Sequence, residues 1–147
     1  MSTIPTISGL LATQLGNISS SVVKTVLQGR NRNNTGFPYI RFYLDDYESR
    51  FVQGMGGGGA SDHHPAIAFR VEIVGELSSD KTSAKKETDF QNAVEGVIAK
   101  LEEEYKLDSD TIIEQIVGEG AIEEQLAEGI AVVLPLVVTI RSFRSYT

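Results

Sequence analysis

Asp62-His63-His64 is the first stretch whose residue types could do chemistry, because a carboxylate beside two imidazoles can ligate a divalent metal for phosphoester hydrolysis. That chemistry needs further aspartates and histidines held in an octahedral frame, and these two histidines are the whole supply of the chain. Adjacent residues beside a glycine-rich segment do not preorganise such a site. A solvent-facing loop is therefore expected, with no metal. Gly54-Met55-Gly56-Gly57-Gly58-Gly59 offers a second candidate, a phosphate cradle. Cradles of that kind open a helix and add Lys-Ser/Thr or spaced glycines. Here no lysine lies between Gly54 and Pro65, and an extended run follows, so a hinge or arm is expected. Asp45-Asp46 could work as an acid–base pair or hold calcium, but neighbours on a strand point to opposite faces and do not converge. No Gly-x-Ser-x-Gly elbow is present. Catalytic, cofactor-binding and metal residues are all expected to be absent, and the chain is not expected to be an enzyme.

The elements that would carry these residues are organised around residues 36–46. Ile40, Phe42 and Leu44 alternate with Tyr39, Arg41, Tyr43 and Asp45, which is a strand with one dry face. Asn33-Asn34-Thr35-Gly36 turns the chain into it, and Pro38 is tolerated near its start. Pro65 to Leu77 alternates again, with Ile67, Phe69, Val71 and Ile73 inward and Ala68, Arg70, Glu72 and Val74 outward. The two runs predict an antiparallel hairpin. The glycine-rich stretch at about 53–64 is its mobile loop, since polyglycine loses too much backbone entropy on ordering.

Before the hairpin, Leu11, Leu15, Ile18, Val22 and Val26 recur at helical spacing from about Ser8. This predicts one long helix, capped by Gly29 and held by packing across the weak Ser19-Ser20-Ser21. Arg30-Asn31-Arg32-Asn33-Asn34 is a solvated connector. After the hairpin, Ala84, Phe90, Val94, Val97, Ile98, Leu101 and Tyr105 predict an amphipathic helix over 81–104. Gly96 within it marks close approach to the sheet. Thr111 to Val117 is read as a short helix, with a strand as the alternative, and 121–128 as a further helical turn or two. The run from Ile130 to Val138 is apolar on both faces, hence a buried strand, and Pro135 assigns it to a sheet edge or a bulge. An apolar edge strand invites a second subunit. Val133, Pro135 and Val137, with Gly56, Gly57, Gly58 and Gly59, are the candidate contact residues.

A chain of 147 residues with 41% hydrophobic and 22% charged residues fits one α+β domain with a mostly antiparallel sheet and helices packed on it. The net charge of −7 argues against a partner tracked by its phosphates, so no specific nucleic acid is expected. The absence of cysteine rules out disulfides and thiolate chemistry and suits a reducing cytoplasm. No signal peptide and no membrane span are read in the sequence.

The order of these elements resembles the tail terminator proteins of long-tailed bacteriophages. The resemblance lies in a leading amphipathic helix and a strand opening on Phe37-Pro38-Tyr39-Ile40. A variable hairpin loop, the strand Ala66–Ile73, the helix over 81–104 and a final strand over 132–143 follow. The resemblance covers most of the chain and rests on order and spacing. The long glycine-rich loop and the residues between Asp108 and Gly129 depart from it. It implies a virion protein of the tail–neck region, made in the host cytoplasm. Such a protein forms a ring, commonly a hexamer, with the tail tube protein and a head–tail connector or adaptor as partners. Another neck or head-completion protein, a non-viral α+β binding module and a small enzyme subunit are the alternatives.

Overall fold

The computed structural model describes residues 3–30, 36–53, 61–77, 83–126 and 129–146. Gly54 to Ala60, including Gly56, Gly57, Gly58 and Gly59, lie outside them, as do Asn31 to Thr35. Helix α1 (Ile4–Gly16) opens on Thr3, whose hydroxyl accepts the Thr6 N–H at 3.3 Å, with Pro5 in the first turn where no donor is missed. Ile7, Leu11 and Leu15 form its buried stripe. The helix begins earlier and ends sooner than the periodicity predicts. It stops at Asn17, and Ser19 folds the chain into a turn, its carbonyl taking the N–H groups of Val22 and Val23. The same apolar spacing then continues into a strand, β1 (Thr25–Gln28). Ser19-Ser20-Ser21 and the β-branched residues behind it are where propensity yields. Gly29, at φ 121°, ends this strand and caps no helix.

Strand β2 (Tyr39–Glu48) runs parallel to β1 and antiparallel to β5 (Ala66–Glu76), the predicted hairpin, with an irregularity between Leu44 and Asp46. Between them, β3 (Phe51–Gln53) and β4 (Ser61–His63) pair, so part of the predicted loop is strand. The C-terminal β10 (Arg144–Tyr146) pairs with β4, completing a second, three-stranded sheet. Helix α2 (Ser83–Glu103) falls where its stripe predicts. The remaining strands are β6 (Lys106–Asp108), β7 (Thr111–Gly118), β8 (Ile122–Leu126) and β9 (Gly129–Ser142). The main sheet has the order β1-β2-β5-β9-β7-β6, with β8 also paired to β9. The domain is α+β with a mostly antiparallel sheet.

Two expectations are overturned here. Residues 111–117 and 121–128 contain strands, not helices. β7 buries Thr111 and Ile113 while Ile112 between them is half-buried, the period of a strand, and pairing to β9 overrides the helix preference of Glu123, Glu124 and Gln125. In turn β9 is no edge, since it lies between β5 on one side and β7 and β8 on the other. Pro135 is accommodated by a junction. Its carbonyl accepts from Glu119 N–H at 2.8 Å, and a strand residue turns its carbonyl and nitrogen to the same side. The missing donor therefore faces the gap where β7 gives way to β8.

Both helices pack on one face of the sheet, over Ile40, Phe42, Ile67, Phe69, Val71, Ile73, Leu136, Val138 and Ile140. Gln14, buried, donates from Nε2 to the carbonyls of Lys100 (3.0 Å) and Glu104 (2.8 Å), satisfying the last turn of α2 from α1. Close approach of α2 to the sheet is made at Gly75 of β5, where an added Cβ would sit 2.5 Å from Phe90 Cδ1. Gly96 instead faces Val22 in the turn after α1, at 3.1 Å, which corrects the expectation that it touches the sheet.

Candidate functional site: the open face and the free edges of the sheet

The face without helices is built from the outward set of the two alternations. Arg41 on β2 stands opposite Glu72 on β5, and both are nearly sealed, 4% and 7% exposed. The guanidinium donates to both Glu72 oxygens, through Nε at 3.3 Å and Nη2 at 3.1 Å, and Nη2 also reaches Glu124 of β8 at 2.6 Å. Tyr43 adds a short hydrogen bond from its hydroxyl to Glu72. Burial and then the Glu72 carboxylate push the Tyr43 phenol up to about 12. Burial alone would lower the Arg41 value, but hydrogen bonds and charge from Glu72 and Glu124 hold it above its ordinary one. An arginine between two carboxylates at this depth pins β8 across the face.

A smaller apolar cluster lies beside this network: Tyr39, Val74, Leu126, Ala131 and Val133, with Leu27 and Phe37 against it. Toward the other end Arg70 bridges Asp45 (3.4 Å) and Glu119 (2.7 Å), and Arg141 pairs with Glu114. The Glu119 hydrogen bond leads in raising Arg70 above its usual value. Arg30 extends over the Tyr43 ring at 4.0 Å and donates to the Leu44 carbonyl. This network was not foreseen. Alternation placed Arg41 and Glu72 on one side of their strands, but only the register sets them face to face, and only β8 covers them.

The residues singled out for chemistry are kept apart. Asp45 turns to Arg70, while Asp46 accepts the Tyr47 N–H. A cleft lined by Asp46, Glu48, Arg50 and Glu114 opens nearby, with Glu48 bound to Arg50 at 3.2 Å and Glu114 to Arg141. His63 ends β4, the His64 ring meets Phe143 edge-on at 4.8 Å, and the His64 main-chain N–H donates to the Arg50 carbonyl. Among the described residues no group of three metal-capable side chains converges. Of the candidate contact residues, Val133 and Pro135 are buried inside the subunit and Val137 is half-buried on the open face. No helix among the described residues is long and apolar enough to cross a membrane.

The main sheet leaves main-chain edges unpaired among the described residues: the outer side of β1, that of β6, and that of β8. Ile122 on β8 is the most exposed large hydrophobic side chain described, at 54%.

No protein-family model matches the chain, and no curated protein matches it. Among solved structures, it is similar to a chain described as "Virion of native gene transfer agent (GTA) particle". The two are 12% identical with a TM-score of 0.46, over 91% of this chain and 84% of that one.

Proposed function

We propose that this protein is a structural component of a phage-like virion and, more finely, a tail terminator. In that role it forms a ring that caps the finished tail tube and joins it to the head connector. The likeness to the gene transfer agent chain is too low to carry this reading, which rests on the chain itself. The element order of the resemblance is met: α1 leads, β2 begins at Tyr39 just after Phe37-Pro38, the hairpin and α2 follow, and β9 comes near the end.

The observation that carries the proposal is the second sheet. The β2–β5 hairpin is prolonged by β3 and β4, and the C-terminal β10 is stitched to β4. The described strands on either side of residues 54–60 therefore form a braced arm, as expected of an element that reaches a neighbouring subunit. Gly56, Gly57, Gly58 and Gly59, together with Val137, are the proposed contacts. Val133 and Pro135 are buried inside the subunit and are not proposed as contacts. No reaction, cofactor or metal is proposed.

Light scattering and electron microscopy of the purified protein test this. Rings, commonly of six subunits, that stop elongation of the tail tube protein are the expected outcome. A monomer from micromolar to near-millimolar concentration overturns it.

A further inference from the structure

We infer that the free edge of β8 in one copy pairs, antiparallel, with the free edge of β1 in the next, so that the main sheet continues from subunit to subunit. The inference rests on the ring reading above and names its joint.

Four observations place the two edges in register for one another. First, one straight row of partners crosses the sheet between them: Thr25, Tyr39, Val74, Val133, Ile122. The free edges thus sit at the same height on opposite sides of the molecule. Second, their directions suit each other. β1 is parallel to β2, and the antiparallel steps through β5 and β9 leave β8 running opposite to β1. A copy rotated about an axis along the strands, without inversion, then presents an antiparallel β1 to β8. Repetition of that head-to-tail contact closes a ring.

Third, the main-chain groups face correctly. The Pro135 carbonyl turns toward β7 and β8, so by alternation Val133 and Ala131 do too, and their partners Ile122 and Glu124 spend their groups on β9. Those of Glu123 and Gln125 point outward. On β1, Gly29 N–H bonds the Phe42 carbonyl, so Leu27 faces β2 and the groups of Val26 and Gln28 point outward. Glu123 and Gln125 carry side chains opposite to the face of Glu124. Val26 packs in the helix-side core, so both outward sets lie on that one face and would meet there.

Fourth, charge and polarity match. Glu123 is exposed and has no ion partner among the described residues, and Lys24, at the start of β1, is likewise exposed and unpaired. On the opposite face exposed Ile122 would approach Leu27, extending the small apolar cluster across the joint. The β8 edge thus offers the carboxylate of Glu123 and the β1 edge the ammonium of Lys24, so like edges repel and unlike edges attract.

The chain has no cysteine, which makes a direct test clean. In a Lys24→Cys, Glu123→Cys double variant, a short bismaleimide is expected to link subunits into a ladder ending at the ring size. An equimolar mixture of the two single variants should give dimers, and each single variant alone none. As a second measure, Lys24→Glu should raise the dissociation constant of assembly on the order of tenfold, and adding Glu123→Lys should restore it. Rings by microscopy without a ladder overturn this joint and leave the ring reading standing. Dimers from Glu123→Cys alone show β8 pairing with itself and overturn it as well. Circular dichroism of a folded chain that never assembles removes both readings.

Discussion

The two faces of the main sheet reach burial by different chemistry. Under the helices, Phe42 and Phe69 lie with ring centroids 6.4 Å apart among aliphatic side chains. On the open face, depth comparable to that of Phe69 is occupied by Arg41 and Glu72, with Glu124 reaching in from β8. The first face is stabilised by area removed from water and tolerates any apolar filling of the right volume. The second is held by one arginine between two carboxylates, ion pairs that contribute little net stability but fix where β8 lies. The difference teaches that β8 is positioned more specifically than it is anchored. That is a useful property in a strand with a free edge.

The sharpest way to break the comparison is to remove one member from each side. Phe69→Ala, at 1% exposure, should destabilise by about 3–5 kcal/mol through lost transfer energy and a cavity, read by chemical denaturation. Against a typical total of about 5–15 kcal/mol this is a large fraction. Arg41→Met should cost about 3 kcal/mol for another reason, because it strands Glu72 and Glu124 near each other without a counter-charge. Replacing Arg41, Glu72 and Glu124 together by apolar residues should cost far less than the single change. If the triple variant is worse than Arg41→Met, the open face is not held by ion pairs as described.

The helix-covered face was legible from the sequence and the open face was not, for a physical reason. Period-two alternation in 39–44 and 66–74 states which side chains share a face and gives the hairpin, and the stripe at helical spacing from Ala84 to Tyr105 gives α2. Alternation is silent on what covers the other face. That depended on β8, whose Glu-Glu-Gln centre reads as helix until β9 is known to be central. β9 itself offered the missing signal. A strand apolar on both faces over so many residues demands neighbours on both edges, and only 111–118 and 122–126 remained to supply them. Pro135 misled because the rule about donors concerns one side of a strand at one position, and a junction between two partners meets it as well as an edge does.

A change of pH separates the two faces without mutation. Tyr43 has a folded value of about 12, above the roughly 10 of an unfolded tyrosine. The stabilisation is therefore complete below about pH 10, where both states hold the proton. It is lost as pH rises toward 12, because the unfolded chain ionises first. Allowing for partial exposure of the ring, the loss is about 1–2 kcal/mol. Denaturation midpoints of the wild type should fall across that window, and those of Tyr43→Phe should fall less. Equal slopes would mean the hydroxyl is not held by Glu72 as described.

The smallest expected effect concerns the residues that first suggested chemistry. His63→Ala with His64→Ala should leave the main sheet intact, because neither side chain enters its core. The His64 imidazole lies against Phe143, an edge-on ring contact worth about 0.5–1.5 kcal/mol. The loss should fall on the small sheet of β3, β4 and β10, whose strands flank that contact, and hydrogen exchange should rise there more than in β5 or β9. Assembly would weaken only as far as the arm loosens. A stoichiometric divalent metal in the wild-type protein, absent from the double variant together with a hydrolytic activity, would give these histidines a catalytic role and turn the arm from a structural element into a site.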